Sequence, residues 1–242
     1  MSDTPAAAAL DVTALAEQLQ QQPAAALATL HALAQRGDVQ AQCLLGQACM
    51  EGRGVPLDSA AGMHWFERAA NAGLPTAMNL LGRCHELGSG TPQNLGLAVV
   101  WYRRAAQQGL DWGRYNLANL IATGRGVAQD PAAAFQLYLQ AAEQGHAKSM
   151  NLVGRCLEEG VGTAADRAAA TAWYRRSAEA GDFRGQASHA VQLLAAGDIA
   201  TAAMLFRRAL AAGSPGFLAT IAPQLAASPH PEIRNLVDVS PV

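Results

Sequence analysis

Glycine recurs at a fixed interval through most of this chain. Five glycines stand 36 residues apart, at Gly37, Gly73, Gly109, Gly145 and Gly181. A G-x-G pair keeps the same step, at Gly52/Gly54, Gly88/Gly90, Gly124/Gly126 and Gly160/Gly162. A period of this length is typical of supersecondary units that stack and share one continuous core. The sequence therefore predicts a repeat protein rather than a single enzyme-like domain.

Each 36-residue unit has the pattern of two helices joined by the G-x-G turn. In the fourth unit, Met150 and Val153 lie on one face of the first helix. Gly160 then ends that helix, because glycine adopts positive φ at little steric cost. The second helices are predicted to begin after capping side chains, which for the third and fourth units are Asp130 and Asp166. Asp182 is the predicted cap of the helix that follows.

The repeat also predicts how the chain is divided. Small residues occupy the slots where paired helices must approach closely, as at Gly46, Gly82, Ala118, Gly154 and Ala190 of the first helices. Modified copies at both ends are expected to cap the stack. The predicted divisions are a disordered segment 1–10, a degenerate repeat 11–37, repeats at 38–73, 74–109, 110–145 and 146–181, a shortened repeat 182–213, a capping helix 214–227 that Pro223 kinks or splits, and a loosely ordered tail 228–242.

Composition narrows the class of partner. The formal net charge of −2 and the pI near 6.3 do not provide the basic face that nucleic-acid binding needs. No stretch approaches the ~20 apolar residues of a membrane span, and residues 1–10 lack the regions of a secretory signal. We therefore expect a soluble, cytoplasmic protein. The abundance of alanine, with Lys148 as the only lysine, favours a bacterial origin.

The cysteines are also consistent with the expected cytoplasmic location. Cys84 and Cys156 occupy one slot two repeats apart, too distant for a disulfide. No C-x-x-C pair occurs in the chain. Cys43, Cys49, Cys84 and Cys156 are therefore expected to be small buried thiols.

Two segments resemble a known repeat family. RYNLANLIATGRGVAQDPAAAFQLYLQAAEQG, residues 114–145, and MNLLGRCHELGSGTPQNLGLAVVWYRRAAQQG, residues 78–109, look like Sel1-like repeats, the longer-looped relatives of the tetratricopeptide repeat. The resemblance covers about residues 38–213. It implies an all-α fold, a right-handed α/α superhelical solenoid of antiparallel helix pairs. It also implies a non-catalytic adaptor or scaffold for other proteins.

The resemblance places a binding groove on the first helices. In tetratricopeptide-like stacks these helices line the concave face, and residues three before and one after the small packing residue face the groove. Amide and guanidinium groups side by side suit the carbonyls and carboxylates of a peptide. A solvated concave face that is polar without binding anything is the alternative. In the middle three repeats these slots hold Asn79, Arg83, Tyr115, Asn119, Asn151 and Arg155, and adjacent groove slots add Trp112, Asn116 and Lys148. These nine are the predicted partner-binding residues.

Catalytic, metal and cofactor sites are not predicted. The histidines show no metal-ligand spacing, and no serine or cysteine has the context of a nucleophile. The G-x-G pairs follow helices rather than strands, so they are not a dinucleotide fingerprint. Arginine doublets recur on the second helices at Arg103-Arg104, Arg175-Arg176 and Arg207-Arg208. We expect these side chains to extend over neighbouring alanines on a solvated face.

Two alternatives to a monomeric adaptor follow from the same resemblance. A secreted, cysteine-rich branch of the family is linked to β-lactam binding and hydrolysis, and its repeats carry paired cysteines. This chain lacks those pairs. The other alternative is a structural scaffold that associates with itself through its convex or terminal surfaces.

Overall fold

The computed structural model describes residues 12–237, and every regular element in that range is an α-helix. The helices are α1 (Val12–Gln21), α2 (Pro23–Gln35), α3 (Val39–Glu51), α4 (Ser59–Asn71), α5 (Pro75–Leu87), α6 (Leu95–Gln107), α7 (Asp111–Thr123), α8 (Pro131–Glu143), α9 (Ala147–Glu159), α10 (Arg167–Glu179), α11 (Phe183–Ala195), α12 (Ile199–Ala212), α13 (Pro215–Ala226) and α14 (Pro231–Arg234). Consecutive helices pack in pairs, which confirms the predicted all-α solenoid class. Segment 1–10 and the last residues of the tail, for which disorder and loose order were predicted, lie outside the described range.

The chain forms two compact units. The first extends to Gly113 and includes Arg125–Val127; the second comprises Arg114–Gly124 and the chain from Ala128 onward. Each unit has its own apolar core. In the first, α4 and α5 pack around Phe66 and Leu81, and in the second, α11 and α12 pack around Phe206.

Side-chain caps start the second helices as the sequence predicts. The carboxylates of Asp130 and Asp166 accept hydrogen bonds from the backbone N–H groups of Ala133 and Ala169, at 3.0 and 2.9 Å. Asp182 caps α11 in the same way. The first helices end in left-handed glycines at Gly52, Gly88 and Gly160, where φ is 66°, 73° and 71°. These two signals set the length of each helix and explain why the repeat is regular.

At Gly90 and Gly162, the second glycine of the G-x-G turn permits close contact between repeats. A Cβ added at Gly90 would collide with the carbonyl group of Ser59, and one added at Gly162 with that of Pro131. Ser59 and Pro131 are the first residues of the second helices α4 and α8. The turn of one repeat therefore packs directly against the backbone of the repeat before it.

Small residues on the first helices face aromatic rings on the second helices. A Cβ added at Gly82 would lie 2.7 Å from ring carbons of Tyr102, and one added at Gly154 would lie 2.6 Å from ring carbons of Tyr174. Real Cβ atoms essentially never approach that closely. The prediction that small side chains allow the paired helices to approach is therefore confirmed at these slots.

The C-terminal region is more ordered than the sequence suggests. Helix α13 continues through Pro223 without being split. Where a loose tail was expected, Pro231–Arg234 form the short helix α14, whose Ile233 is fully buried against the core of the second unit. The Arg234 guanidinium donates to the backbone carbonyls of Ser228 and Pro229, at 2.9 and 3.0 Å. Buried Ile233, the neighbouring Leu236 and Val237 that pack on the same core, and these hydrogen bonds hold the segment.

Gly82→Ala is expected to destabilise the protein by about 1–3 kcal/mol, because its methyl group would overlap the Tyr102 ring. Urea unfolding followed by circular dichroism measures this. Gly96→Ala is the control, since Gly96 is exposed in α6 of the same unit and an added Cβ meets only the Asn94 side chain, at 3.4 Å. The control should match or exceed wild-type stability. Equal stability of all three proteins would contradict the proposed overlap.

Candidate partner-binding face

The first helices of the repeats are α3, α5, α7, α9 and α11, and we call the outward side of these helices, in either unit, the first-helix face. The predicted site residues fall in both units. The first unit holds Asn79, Arg83 and Trp112, and the second holds Tyr115, Asn116, Asn119, Lys148, Asn151 and Arg155.

Two of the predicted polar anchors are buried. Asn79 and Asn151 are only 7% and 8% exposed. The Asn151 side-chain oxygen accepts a hydrogen bond from the Ser188 hydroxyl on α11, at 2.9 Å. At Asn151, the side chain is therefore directed into the contact between the neighbouring first helices α9 and α11.

The side chains of Arg83 and Arg155 are exposed on the first-helix face. They occupy the same slot, two repeats apart, one residue after the glycines that contact Tyr102 and Tyr174. Within residues 12–237, neither guanidinium group has a hydrogen bond or an ion pair. Each therefore presents a full positive charge and unused N–H donors to solvent.

The glutamates that could pair with these arginines are already engaged. Glu86 lies three residues after Arg83, and one of its carboxylate oxygens accepts from the Tyr102 hydroxyl at 2.7 Å. Its other oxygen pairs with Arg125 at 3.1 Å. Burial, followed by the hydrogen bond to Glu86, raises the pKa of Tyr102, so the phenol remains protonated as a donor.

The fourth repeat has the same arrangement with different donors. The Tyr174 hydroxyl donates to one oxygen of Glu158 at 2.8 Å, and the Gln192 amide donates to the other, also at 2.8 Å. Arg155 is three residues before Glu158 but forms no ion pair with it. A tyrosine on the second helix and a donor from the next repeat thus bind the glutamate in both cases.

The third repeat departs from this pattern. Ala122 replaces the glutamate, and the Tyr138 hydroxyl donates instead to the side-chain oxygen of Asn119, at 2.7 Å. Asn119, predicted as a groove anchor, is therefore half-buried and engaged within its own repeat. Tyr115 is also half-buried, with its ring 5.0 Å from that of His146.

The other predicted site residues differ in exposure. Trp112 is 41% exposed, on the part of α7 that belongs to the first unit. Asn116 and Lys148 are half-buried in the second unit. Trp112 is thus the predicted aromatic residue with the most surface available for contact.

In two of the arginine doublets on the second helices, one arginine stacks on a tryptophan rather than extending over alanine as expected. The guanidinium carbon of Arg104 lies 4.8 Å from the centre of the Trp101 ring, and that of Arg176 lies 4.1 Å from the Trp173 ring. Arg68 stacks on Trp65 in the same way, at 4.7 Å. Tryptophan attracts the cation through the quadrupole of its ring. These stacked pairs, three residues apart, explain why tryptophan recurs on the second helices.

The first helices also carry buried thiols and the buried His85. All four cysteines are free and buried, as predicted. Burial raises the pKa of the Cys43 thiol to about 12 and that of Cys84 to about 11. His85 is buried in α5, and burial lowers its pKa, which favours the neutral ring. None of these groups is activated for chemistry by its surroundings.

Between residues 12 and 237, no three His, Cys, Asp or Glu side chains are grouped so that they could bind a metal ion. Over the same range, the helices are too short or too polar to traverse a bilayer.

Paired helices of near-constant length, joined by left-handed glycines and repeated every 36 residues, define an α-solenoid repeat protein. The Sel1 repeat model matches residues 39–74, 75–110, 113–146 and 147–182. The chain belongs to the Sel1 repeat family. Proteins of this family generally mediate protein–protein interactions.

Solved structures agree on the fold. A Sel1 repeat protein from Oxalobacter formigenes is 24% identical, with a TM-score of 0.81 over 94% of this chain and 97% of that one. A protective antigen of uropathogenic Escherichia coli with the same repeat fold is also 24% identical, with a TM-score of 0.72 over 92% of this chain. This chain spans about half of that antigen, 51% of its length. An immunity protein from Pseudomonas aeruginosa is 12% identical, with a TM-score of 0.56 over 82% of this chain and 75% of that one. No curated protein matches the sequence significantly.

Tyr102→Phe removes the hydrogen bond to the Glu86 carboxylate. It is expected to lower the free energy of unfolding by about 1.5–3 kcal/mol, the range for hydrogen bonds to charged groups. Tyr138→Phe removes a bond to the neutral amide of Asn119, so its expected cost is only about 0.5–1.5 kcal/mol. Denaturant titration of both variants measures the difference. A larger loss for Tyr138→Phe would contradict the assigned role of Glu86.

The native cysteines are expected to react at pH 8 with a maleimide about 100-fold more slowly than in denaturant. The reason is that a raised pKa leaves little thiolate at that pH, in addition to the steric protection of burial. Mass spectrometry of timed samples measures each site. Rapid labelling of Cys43 or Cys84 in the folded protein would contradict their burial.

Proposed function

We propose that the chain is a non-catalytic adaptor that binds a peptide or a segment of a partner protein along the first-helix face. The observation that supports this most directly is the pair of exposed, unpaired guanidinium groups of Arg83 and Arg155. A guanidinium group can pair with a carboxylate or backbone carbonyl through two parallel hydrogen bonds, which fixes the orientation of a bound segment.

The predicted residues differ in how much of each side chain a partner could reach. Arg83 and Trp112 in the first unit and Arg155 in the second are exposed, and in our proposal they make the first contacts with a partner. Tyr115, Asn116, Asn119 and Lys148 are half-buried in the second unit, while Asn79 in the first unit and Asn151 in the second are buried.

The internal hydrogen bonds of the glutamates support the proposal that Arg83 and Arg155 are available to a partner. Because tyrosine and a donor from the next repeat hold Glu86 and Glu158, these carboxylates do not collapse onto the neighbouring arginines. The arginines therefore lose no ion pair when a partner binds, and the energetic cost of binding is lower. Four free, buried thiols also suit a reducing compartment, and we place the adaptor in the cytoplasm.

Replacing Arg83 and Arg155 together by alanine is expected to weaken partner binding by more than about tenfold. Both side chains are exposed and unpaired, so the melting temperature should fall by no more than a few degrees. The measurement is affinity capture from a bacterial lysate, with bound proteins quantified by mass spectrometry beside wild type.

The matched control is the double variant Arg103→Ala with Arg175→Ala. It removes the same charge from exposed positions on the second helices α6 and α10. Partners lost from the first-helix variant but retained by this control would support the proposal. Equal capture by both variants would refute it.

A further inference from the structure

One exposed leucine on the first-helix face is unusual for its slot. Leu87, the last residue of α5, is 63% exposed. The same slot in the other full repeats holds Glu51, Thr123 and Glu159, all of them polar. The repeat itself therefore does not require an apolar side chain there, and leaving one in water has no benefit for folding.

Leu87 borders a cleft between α3 and α5 in the first unit. The cleft has a volume of about 340 Å³, within the range of about 300–1,000 Å³ that ligand sites occupy. Its apolar walls are Met50, Leu80 and Leu87. We call this space the first-unit cleft. It offers apolar surface to one bulky side chain of a partner.

The positive and negative side chains around the first-unit cleft differ in whether they are paired. Arg83 and Gln47 line it on the polar side, and Arg83 has no ion pair among the described residues. The cleft also contains Glu51, but that carboxylate pairs with Arg53. The unsatisfied charge next to the apolar walls is therefore the positive charge of Arg83.

We propose that the first-unit cleft binds a partner segment in which a large apolar side chain lies next to an aspartate or glutamate. This inference rests on the proposed function and names the chemistry of the partner. The apolar side chain inserts between Met50, Leu80 and Leu87, and the neighbouring carboxylate pairs with Arg83. A lysine or arginine in place of that carboxylate would face a like charge and bind more weakly.

The second unit supplies an internal control. Arg155 occupies the same slot as Arg83 and has an equally unpaired guanidinium group, but it does not line the first-unit cleft. The residue four positions after it is Glu159, where the first unit has Leu87. Removing Arg155 therefore removes the same charge from the first-helix face without changing the cleft.

The experiment is selection of random phage-displayed peptides of about twelve residues on wild type, Arg83→Gln and Arg155→Gln. Peptides enriched on wild type should carry Asp or Glu beside Trp, Phe, Leu, Ile or Met. They should be lost on Arg83→Gln and retained on Arg155→Gln. Leu87→Glu, which installs the residue of the first and fourth repeats, should also lose them while it remains folded by circular dichroism.

A thermodynamic cycle then tests the contact itself. The best peptide and its Glu→Gln (or Asp→Asn) version are titrated by fluorescence polarisation against wild type and Arg83→Gln. Each single change should weaken binding about tenfold, and the second change should add little once the first is present. Independent, additive losses would overturn the pairing of the peptide carboxylate with Arg83.

The outcomes separate this inference from the proposed function. Enriched peptides that depend on Arg155 or Arg83 but contain no acidic residue would overturn the acidic chemistry and leave an adaptor of different specificity. Peptides that bind all variants equally would overturn both. Failure to enrich any peptide on wild type would overturn this inference alone if the lysate partners are still lost from the Arg83/Arg155 double variant.

Discussion

The contact between glycine on one helix and an aromatic ring on its partner is the constraint on which the rest of this structure depends. At Gly82 and Gly154 the ring edge occupies the space of a side chain, so the two helices of a repeat come as close as their backbones allow. That approach places the hydroxyl groups of Tyr102 and Tyr174 within reach of Glu86 and Glu158. Packing within a repeat therefore determines which polar groups on the first-helix face remain unpaired.

The engaged glutamates connect stability with recognition. Each accepts one hydrogen bond from its own repeat and one from the next, so the same carboxylate ties the two repeats together. The donor from the next repeat is the charged Arg125 at Glu86 and the neutral Gln192 amide at Glu158. Arg83 and Arg155 form no ion pair with these engaged carboxylates. Sel1 repeat proteins generally mediate protein interactions, and the proposed binding through Arg83 and Arg155 would favour partners with acidic groups.

Several predictions from the sequence hold because they concern neighbours along the chain. Caps at Asp130, Asp166 and Asp182, and left-handed glycines after the first helices, follow from local backbone chemistry. The burial of Asn79 and Asn151 was missed, because it depends on how one first helix meets the next. A signal for the tyrosine–glutamate bonds does exist in the sequence. Glutamate and tyrosine occur together, 16 residues apart, in the second and fourth repeats, while the third repeat lacks the glutamate and its tyrosine bonds to Asn119 instead.

The sequence by itself determined the period, the helix pairs, the turns and the family, because each follows from residue spacing and from the limited backbone conformations of glycine, aspartate and proline. Only the tertiary structure decided which polar side chains remain available. Whether an asparagine is buried, a glutamate is engaged or an arginine is unpaired depends on contacts between residues 16 to 39 positions apart. The C-terminal end shows the same dependence on tertiary contacts, because burial of Ile233 and packing of Leu236 and Val237 order a segment whose prolines suggested a loose tail.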